Sequence, residues 1–366
     1  MYALRILTRQ PVRCVLTVAG IALCVLLMLF LLAVYRAVST GSVEYVRSSN
    51  ADLWVLQRSA TNILRGSSML STPHGIVLRQ TEGVATASPV LLILSVAMCR
   101  EAGATLFLAG YDVSTGMGGP PKIVAGRGVE NDDEIVLDRS FAAKWNIAPG
   151  DAIRIQDDSL TVVGLSGGTN AFVVQYGFST IRRVQRILGH PGLVTCYLVT
   201  VKPGADPAVV RNAIMEDLPG VEVFDRRTFL ANNIQEMESG FLPILYAIAA
   251  IGGVVLTSIL TLLLTVIILE SRRDFAVMRA LGAPDGILRR VICSQALMLS
   301  AAGTITAALF FPSFAAAVEW LTPEVSTQAS FVQTSAVTAV VFAITVLSAW
   351  IAIRRLRGIY PLEAFA

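Results

Sequence analysis

Long uncharged apolar stretches alternate with polar segments along this chain, a pattern that predicts four membrane-spanning helices. No Asp, Glu, Lys or Arg occurs in the stretches Cys14 to Tyr35, Ser239 to Leu269, Val291 to Val318 and Val325 to Ile353. Each stretch exceeds the ~20 residues that a helix needs to cross the hydrocarbon core. The composition agrees, because 54% of the residues are hydrophobic and 15% are charged, whereas soluble domains carry about a quarter charged residues.

The region between the first two spans has a different pattern, with short β-type runs separated by Gly, Pro, Asn and Asp. Strands are predicted at seven places, which are 51–57, 83–99, 104–112, 134–138, 151–156, 160–165 and 196–202. Helices are predicted at 139–147 and from Pro207, where Asp206 is suited to be the N-cap. The expected fold class is a membrane α-helical protein with a mixed α+β extracytoplasmic domain between helices 1 and 2.

The arginines predict the orientation, because short loops rich in Lys and Arg stay in the cytoplasm. Arginines precede the first span, separate the second from the third and follow the fourth, while the loop after the third span has only acidic charges, at Glu319 and Glu324. Both termini are therefore expected in the cytoplasm of a bacterial cell, with the chain in its inner membrane. The expected segments are the first span with its N-terminal segment (1–36), the extracytoplasmic domain (37–238), the second span (239–269), a cytoplasmic segment (270–290), the third span (291–318), an external loop (319–324), the fourth span (325–353) and a cytoplasmic tail (354–366).

One short stretch, Leu165-Ser166-Gly167-Gly168, matches the opening of the signature motif of ATP-binding-cassette (ABC) ATPases. A nucleotide site also needs a glycine-rich phosphate loop that ends in Gly-Lys-Ser/Thr. None of the three lysines, Lys122, Lys144 and Lys202, follows a glycine. Since Gly-Gly is ordinary turn chemistry, the stretch is interpreted as a strand-to-turn junction, and the chain is not expected to bind ATP itself.

Candidate residues for catalysis and metal binding are few. Asp138, Ser140 and His190 could be written as a triad, but no Gly-x-Ser-x-Gly elbow accompanies them, and no His/Cys spacing indicates zinc. Cys99 and Cys196 both fall in the predicted external domain, where an oxidising compartment permits a disulfide, and their pairing stays open. The sequence thus predicts a chain that is not an enzyme and holds no cofactor or metal.

The energy source is predicted to be a separate subunit. Ion-coupled carriers place ionisable residues inside their spans, and none of the four predicted spans contains Asp, Glu, Lys, Arg or His. Together with the missing phosphate loop, this absence indicates an external ATPase.

Three segments resemble permeases of the MacB/FtsX class of ABC transporters, which includes DevC/LolC-like proteins. They are ESRRDFAVMRALGAPDGILRRVICSQALML from Glu270, the C-terminal AIRRLRGIYPLEAFA, and GRGVENDDEIVLDRSFAAKWNIAPGDAIRIQDDSLTVVGL from Gly126. Asp274 stands where the class more often has glutamate. The resemblance implies two permeases with two cytoplasmic ABC ATPases.

Residues 271–282 are predicted to form the coupling helix that docks into the ATPase. Phe275, Met278 and Leu281 recur at a helical spacing of three and can share one face, while Gly282 and Pro284 are suited to end the helix. The alternative for a short amphipathic helix is a position on the lipid headgroups. The residues assigned to coupling are Arg272, Arg273, Asp274, Phe275, Met278, Arg279, Leu281 and Gly282.

Thr257, Thr261 and Thr265 recur at every fourth position of the second span, a pattern that predicts close helix packing. The packing partner is either a second copy of the chain or the first span, and the alternative is a hydroxyl that bonds back to its own helix. Pro243 is predicted to start the second span, and Pro312 to lie inside the third as a hinge or a static bend.

Two functions follow, and the sequence does not separate them. The first is the permease of an exporter that expels a periplasmic or outer-leaflet substrate, and the second is a mechanotransmitter that activates an external partner such as a cell-wall hydrolase. Candidate substrate contacts are Met28, Tyr35, Glu236 and Met237, with heme among the ligands considered and ordinary core or solvated positions as the alternative. Expected partners are the ATPase, a second copy, lipid and, for export, a membrane-fusion adaptor, but no nucleic acid.

Overall fold

The structure is a computed structural model that describes residues 11–63, 68–99, 102–170, 175–270, 285–321 and 331–356. The chain divides into two compact units. A helical unit comprises Met1–Tyr35, Pro243–Val318 and Thr327–Ala366, and a mixed unit comprises Arg36–Leu242 with Glu319–Ser326.

Four long helices carry the apolar stretches of the sequence: α1 (Pro11–Ser48), α6 (Arg226–Glu270), α7 (Asp285–Leu321) and α8 (Phe331–Leu356). Within the described residues, three segments are long and apolar enough to cross a membrane, namely Cys14–Tyr35, Leu242–Leu262 and Cys293–Trp320. The apolar part of α8, Ser335–Ile351, is shorter. The segment Cys14–Tyr35 coincides with the first uncharged stretch of the sequence, while the bounds of the spans, their number and the position of both termini inside stay predictions.

Helix α6 begins well before its apolar segment Leu242–Leu262, which starts next to Pro243. Pro243 lies inside this helix, which begins at Arg226 because the carboxylate of Asp225 accepts hydrogen bonds from the backbone amides of Arg227 and Thr228, both at 3.0 Å. This is N-capping, which satisfies amides that have no partner within the helix. Pro312 lies inside α7, as predicted.

Helix α1 lies at the core of the helical unit. Ile21 and Leu29 of α1 are buried with Leu260 of α6 and Phe311 of α7. Helices α1 and α7 approach closely at Gly303, where an added Cβ would lie 2.5 Å from Cγ2 of Ile21. Only a residue without a side chain permits this approach, as is common between membrane helices.

The mixed unit is built on one large sheet, and its mixed α+β fold confirms the prediction. Its strands are β1 (Leu53–Gln57), β2 (Leu70–Ser71), β3 (Val84–Cys99), β4 (Ala102–Tyr111), β5 (Ile123–Gly126), β6 (Glu134–Asp138), β7 (Ala152–Ile155), β8 (Asp158–Ser166), β9 (Gln175–Thr180), β10 (Leu193–Val194), β11 (Cys196–Val201) and β12 (Val221–Asp225). Its short helices are α2 (Thr72–Gln80), α3 (Arg139–Trp145), α4 (Ile181–Leu188) and α5 (Pro207–Asp217).

Part of the sheet closes into a barrel. The strand order is β12-β1-β11-β3-β4-β9-β6-β8-β5, and β7 pairs with both β3 and β8. The ring β3-β4-β9-β6-β8-β7 therefore has no free edge. Its apolar core includes Leu91, Leu106, Ile135, Ile153 and Val162, all at most 3% exposed. Of the remaining strands, β11, β1 and β12 extend the sheet from β3, and β5 pairs with β8.

Local capping explains why the two predicted short helices form where expected. Asp138 accepts hydrogen bonds from the amides of Ser140 and Phe141 at the start of α3, and Asp206 accepts one from Ala208 at the start of α5. All seven predicted strands are present with small shifts at their ends. The pattern missed α2, α4 and five strands, which are β2, β5, β9, β10 and β12.

Candidate functional site

The ends of two long helices meet in one aromatic cluster of the mixed unit. Tyr45 is in the last turn of α1 and Phe229 is in the first turn of α6. The Tyr45 ring stacks on Tyr176 of β9, with centroids 5.2 Å apart, and Phe229 stacks on Trp54 of β1 at 4.6 Å. Tyr45 and Trp54 are themselves in edge contact at 6.3 Å. Both helices are thus attached to the sheet through the same packed group.

Burial makes this cluster energetically important. Trp54 and Phe229 are fully buried, and Tyr45 is 2% exposed. Buried aromatic pairs contribute about 0.5–1.5 kcal/mol beyond the burial of their surface. The cluster is therefore expected to resist separation of either helix end from the sheet.

A second contact joins the two helix ends directly. The guanidinium of Arg226, the first residue of α6, donates a hydrogen bond from Nη2 to the backbone carbonyl of Arg47. Arg47 lies in the last turn of α1, where backbone carbonyls have no partner within the helix. A cationic donor at a helix C-terminus also interacts favourably with the helix dipole. The start of α6 therefore caps the end of α1.

A cleft of about 210 Å³ lies beside Tyr45, between the end of α1 and the loop after β4. The Tyr45 hydroxyl donates a hydrogen bond of 2.9 Å to the carbonyl of Gly118 in that loop. Burial raises the pKa of this hydroxyl well above its ordinary value, so it stays a proton donor. The cleft is lined by Tyr45, Ser48, Ser49, Asn50 and residues 115–121, a mixture of hydroxyl, amide and backbone groups.

An ion pair fixes the barrel near the start of β6. The Arg127 guanidinium donates to both carboxylate oxygens of Glu134, at 2.7 and 2.6 Å. Glu134 is 6% exposed, and its carboxylate also accepts from the amides of Glu130 and Asn131. The hydrogen bond from Arg127 is the largest cause that lowers the pKa of Glu134. The carboxylate is therefore held ionised in a bidentate ion pair with Arg127.

We expect the substitution Glu134→Gln to destabilise the mixed unit by about 1–2 kcal/mol at neutral pH. A hydrogen bond to a charged group is worth about 1.5–3 kcal/mol, and we discount this because the Arg127 side chain is 46% exposed and water screens the attraction. A carboxyl group whose pKa is lowered on folding stabilises the folded state at pH values above its unfolded pKa of about 4.3. This stabilisation is lost progressively as the pH falls below that value. Thermal unfolding of wild type and variant should therefore converge in acid.

Glu130→Gln is the matched control, because Glu130 lies 3.6 Å from Arg127 but is 68% exposed. It should shift the midpoint little at any pH. A difference between wild type and Glu134→Gln that persists unchanged at pH 3 would contradict the role of the ionised pair.

Two protein-family models match the chain, and together they cover parts of both units. Residues 14–216 match the MacB-like periplasmic core domain, and residues 246–361 match the FtsX-like permease C-terminal domain. The chain belongs to the MacB/FtsX family of ABC-transporter permeases. No curated relative matches it.

Solved structures similar to this family member come from several bacteria. The periplasmic region of MacB from Actinobacillus actinomycetemcomitans is 14% identical with a TM-score of 0.40, covering 50% of this chain and 92% of that one. The extracellular domain of the noncanonical ABC-type transporter YknZ from Gram-positive bacteria is 11% identical with a TM-score of 0.38, covering 48% and 100%. A permease domain from Porphyromonas gingivalis is 14% identical with a TM-score of 0.33, covering 47% and 85%.

Membership in the family has direct consequences. The chain is a permease-type component of an ABC transporter and a bacterial membrane protein. Permeases of this family are generally non-catalytic, form dimers and work with an ABC ATPase.

The predicted coupling residues, from Arg272 to Gly282, lie outside the described residues, and the coupling helix stays a prediction. The threonines of the second span are described. Thr257 and Thr265 each donate a hydrogen bond of 2.7 Å to the carbonyl four residues earlier, which was the alternative to packing. Thr261 is 9% exposed, and its hydroxyl has no partner in the described part of the chain. Its place in a dimer interface is untested.

The four predicted substrate contacts are divided between the units. Met28 is 8% exposed in the core of the helical unit, and an added Cβ at Gly252 of α6 would lie 4.0 Å from its Cε. Tyr35 belongs to the same unit and is half-buried. Glu236 and Met237 belong to the mixed unit; Glu236 is half-buried, and nothing is described of the Met237 side chain. Substrate contact by these residues stays a prediction.

The signature-like stretch is a structural turn, as predicted. Strand β8 ends at Ser166, and Gly168 follows with a φ of +79°, a conformation that favours glycine. The Ser166 hydroxyl contacts that of Thr169 at 2.7 Å, and Thr169 donates to the Asp138 carboxylate at 2.7 Å. The Asp138 carboxylate is therefore hydrogen-bonded to Thr169 and to the amides at the start of α3. His190 is exposed and contacts the carbonyl of Leu188 in its own loop.

All five cysteines are free thiols. Cys196 pairs with Val90 on β3, and Cys99 is nine residues farther along that strand, about 30 Å at 3.4 Å per residue. A disulfide between them within one chain is therefore excluded. Burial raises the pKa of the Cys196 thiol to about 12, which keeps it unreactive. No cluster of potential metal ligands occurs among the described residues.

Proposed function

We propose that this chain is the permease subunit of an ABC exporter that expels a periplasmic or outer-leaflet hydrophobic or amphipathic substrate. A separate cytoplasmic ATPase supplies the energy, and the permease works as a dimer of four-span chains with both termini inside. Substrate leaves through motion of the extracytoplasmic domain, with or without a membrane-fusion adaptor.

One observation carries the proposal. Helices α1 and α6 each carry an apolar segment, and Tyr45 and Phe229 at their ends pack into one buried cluster. Rigid helices with packed ends are suitable elements to transmit a displacement. A movement of these two helix ends would therefore be transmitted to the sheet on which they pack.

We expect the purified chain to hydrolyse no ATP by itself and to stimulate hydrolysis when it is purified with its ATPase. The reason is that the chain has no phosphate loop and that its signature-like stretch is a turn. Hydrolysis by the complex in bilayers should rise further with the transported compound, tested with lipids, peptides, heme and hydrophobic drugs. ATP binding by the chain alone, lost on changing Gly167 and Gly168 to alanine, would contradict this expectation.

The same preparation separates export from mechanotransmission. Export predicts that a stimulating compound leaves the bilayer in proportion to ATP hydrolysed. Activation of an external hydrolase without movement of any compound would instead favour the mechanotransmitter, which uses the same two helices.

A further inference from the structure

Two buried polar side chains of the helical unit have no hydrogen-bond partner among the described residues. Gln295 of α7 is fully buried, and neither Oε1 nor Nε2 of its amide is bonded. Thr261 of α6 is 9% exposed, and its hydroxyl is also unbonded. Native proteins rarely leave such groups unsatisfied, so each requires an explanation.

Both side chains lie close in sequence to hydroxyls that bond between helices. Thr345 of α8 donates a hydrogen bond of 2.8 Å to Ser300 of α7, five residues after Gln295. Ser348 of α8 donates to the carbonyl of Thr257 of α6 at 3.4 Å, four residues before Thr261. Helix α8 is thus bonded to α7 and α6 within five residues of Gln295 and Thr261, and the hydroxyls of Thr345 and Ser348 are already satisfied.

We propose that Gln295 and Thr261 bind water inside the helical unit. Water both donates and accepts, and a carboxamide needs a donor for its oxygen and an acceptor for its nitrogen. A bound cation would leave Nε2 unsatisfied, and an anion would leave Oε1 unsatisfied. Buried waters typically make two to four hydrogen bonds to groups of this kind, and they satisfy polar groups within membrane bundles.

The position of Gln295 gives water a short route to this site. Gln295 is two residues inside the apolar segment Cys293–Trp320, which at 1.5 Å per residue is about 3 Å from its end. Helices α6 and α7 flank the segment 271–284, to which the sequence assigns coupling. This step rests on the proposed function, in which α6 and α7 move. Hydrogen bonds to water at Gln295 and Thr261 would then change partners more readily than interlocked apolar side chains would.

Solid-state NMR of the full chain in lipid bilayers tests the water site without any assay of transport. With glutamine labelled by nitrogen-15, polarisation transferred from water to each side-chain amide is measured. Ser-Gln occurs once in the chain, at 294–295, so carbon-13 in serine carbonyls identifies the backbone nitrogen of Gln295, and carbon-13 along the glutamine side chains connects that nitrogen to Nε2 without a substitution. Gln175 is the dry control, because it is 2% exposed and its Nε2 donates to Asn170 at 3.3 Å; the variant Gln175→Met assigns its resonance.

We expect the Gln295 amide to receive water polarisation several-fold faster than that of Gln175. Equal or slower transfer at Gln295 would overturn the proposal and would indicate a direct bond to another side chain. The result does not depend on the proposed function: fast transfer at Gln295 in a chain that fails to stimulate its ATPase would reject the exporter and keep the water site.

Discussion

Replacing Phe275 and Met278 with aspartate should separate the chain from its ATPase while leaving it inserted in the membrane. The two side chains share one face of the predicted coupling helix. Docking would bury two unpaired carboxylates, which costs several kcal/mol, and each 1.4 kcal/mol lowers affinity tenfold. A loss on the order of 100-fold or more is expected from these relations. Co-purification of the two subunits and stimulated ATP hydrolysis measure it.

Ala276→Asp with Ala280→Asp is the matched control, because these positions lie on the opposite face of the same helix. The control adds equal charge and should keep the ATPase bound. If the Phe275 and Met278 variant still binds its ATPase and stimulates hydrolysis, this segment is not the coupling element. Retained binding with weakened membrane association would support a position on the headgroups instead.

Phe229→Ala should be the most destabilising single substitution in the mixed unit among those considered, by about 3–5 kcal/mol. Its ring is fully buried, stacks on Trp54 at 4.6 Å and contacts Phe224 at 5.9 Å. Truncation leaves a cavity where the start of α6 meets the sheet. Denaturant unfolding of the purified chain measures the loss of stability. The amount of compound exported, or of external hydrolase activated, per ATP hydrolysed should also fall because α6 is less firmly attached to the sheet.

Two conservative variants separate packing from other effects. Phe229→Leu keeps most of the apolar volume and should cost less than about 1.5 kcal/mol. Tyr45→Phe keeps the ring that stacks on Tyr176 and removes only the hydrogen bond to Gly118, worth about 1 kcal/mol. If Phe229→Ala unfolds like wild type, or if it loses stability while export or hydrolase activation per ATP hydrolysed is unchanged, the cluster does not transmit force.

Much of the secondary structure could be predicted because its causes are local. A run of three apolar residues between two acidic ones identified β6, whose predicted bounds agree with the structure. Asp206 followed by Pro207 identified α5, because a cap and a fixed φ act within a few residues. Strand β9 was missed because it contains a glycine and polar residues and has no continuous apolar run, although all six of its residues are buried.

The sites that depend on distant residues were harder to find. Nothing in the sequence indicated that Arg127 pairs with Glu134, which the structure joins through two hydrogen bonds. The sequence located the apolar segment of α6 and not the start of the helix, because apolarity marks where a helix can enter lipid and not where it begins. Only the cap at Asp225 sets that start. Aromatic residues just beyond an apolar stretch, such as Tyr45, were the one available indication of the cluster.

The sequence by itself determined that the chain has long apolar helices, an intervening α+β domain and no phosphate loop, and its motifs indicated the permease family. These properties depend on composition and on spacings of a few residues, which one chain displays directly. The tertiary structure alone decided that β7 closes a barrel, that Tyr45 and Phe229 meet around Trp54, and that Cys99 and Cys196 lie far apart. Those facts depend on which strands pair, and pairing is set by the burial of surfaces contributed by residues far apart in the chain.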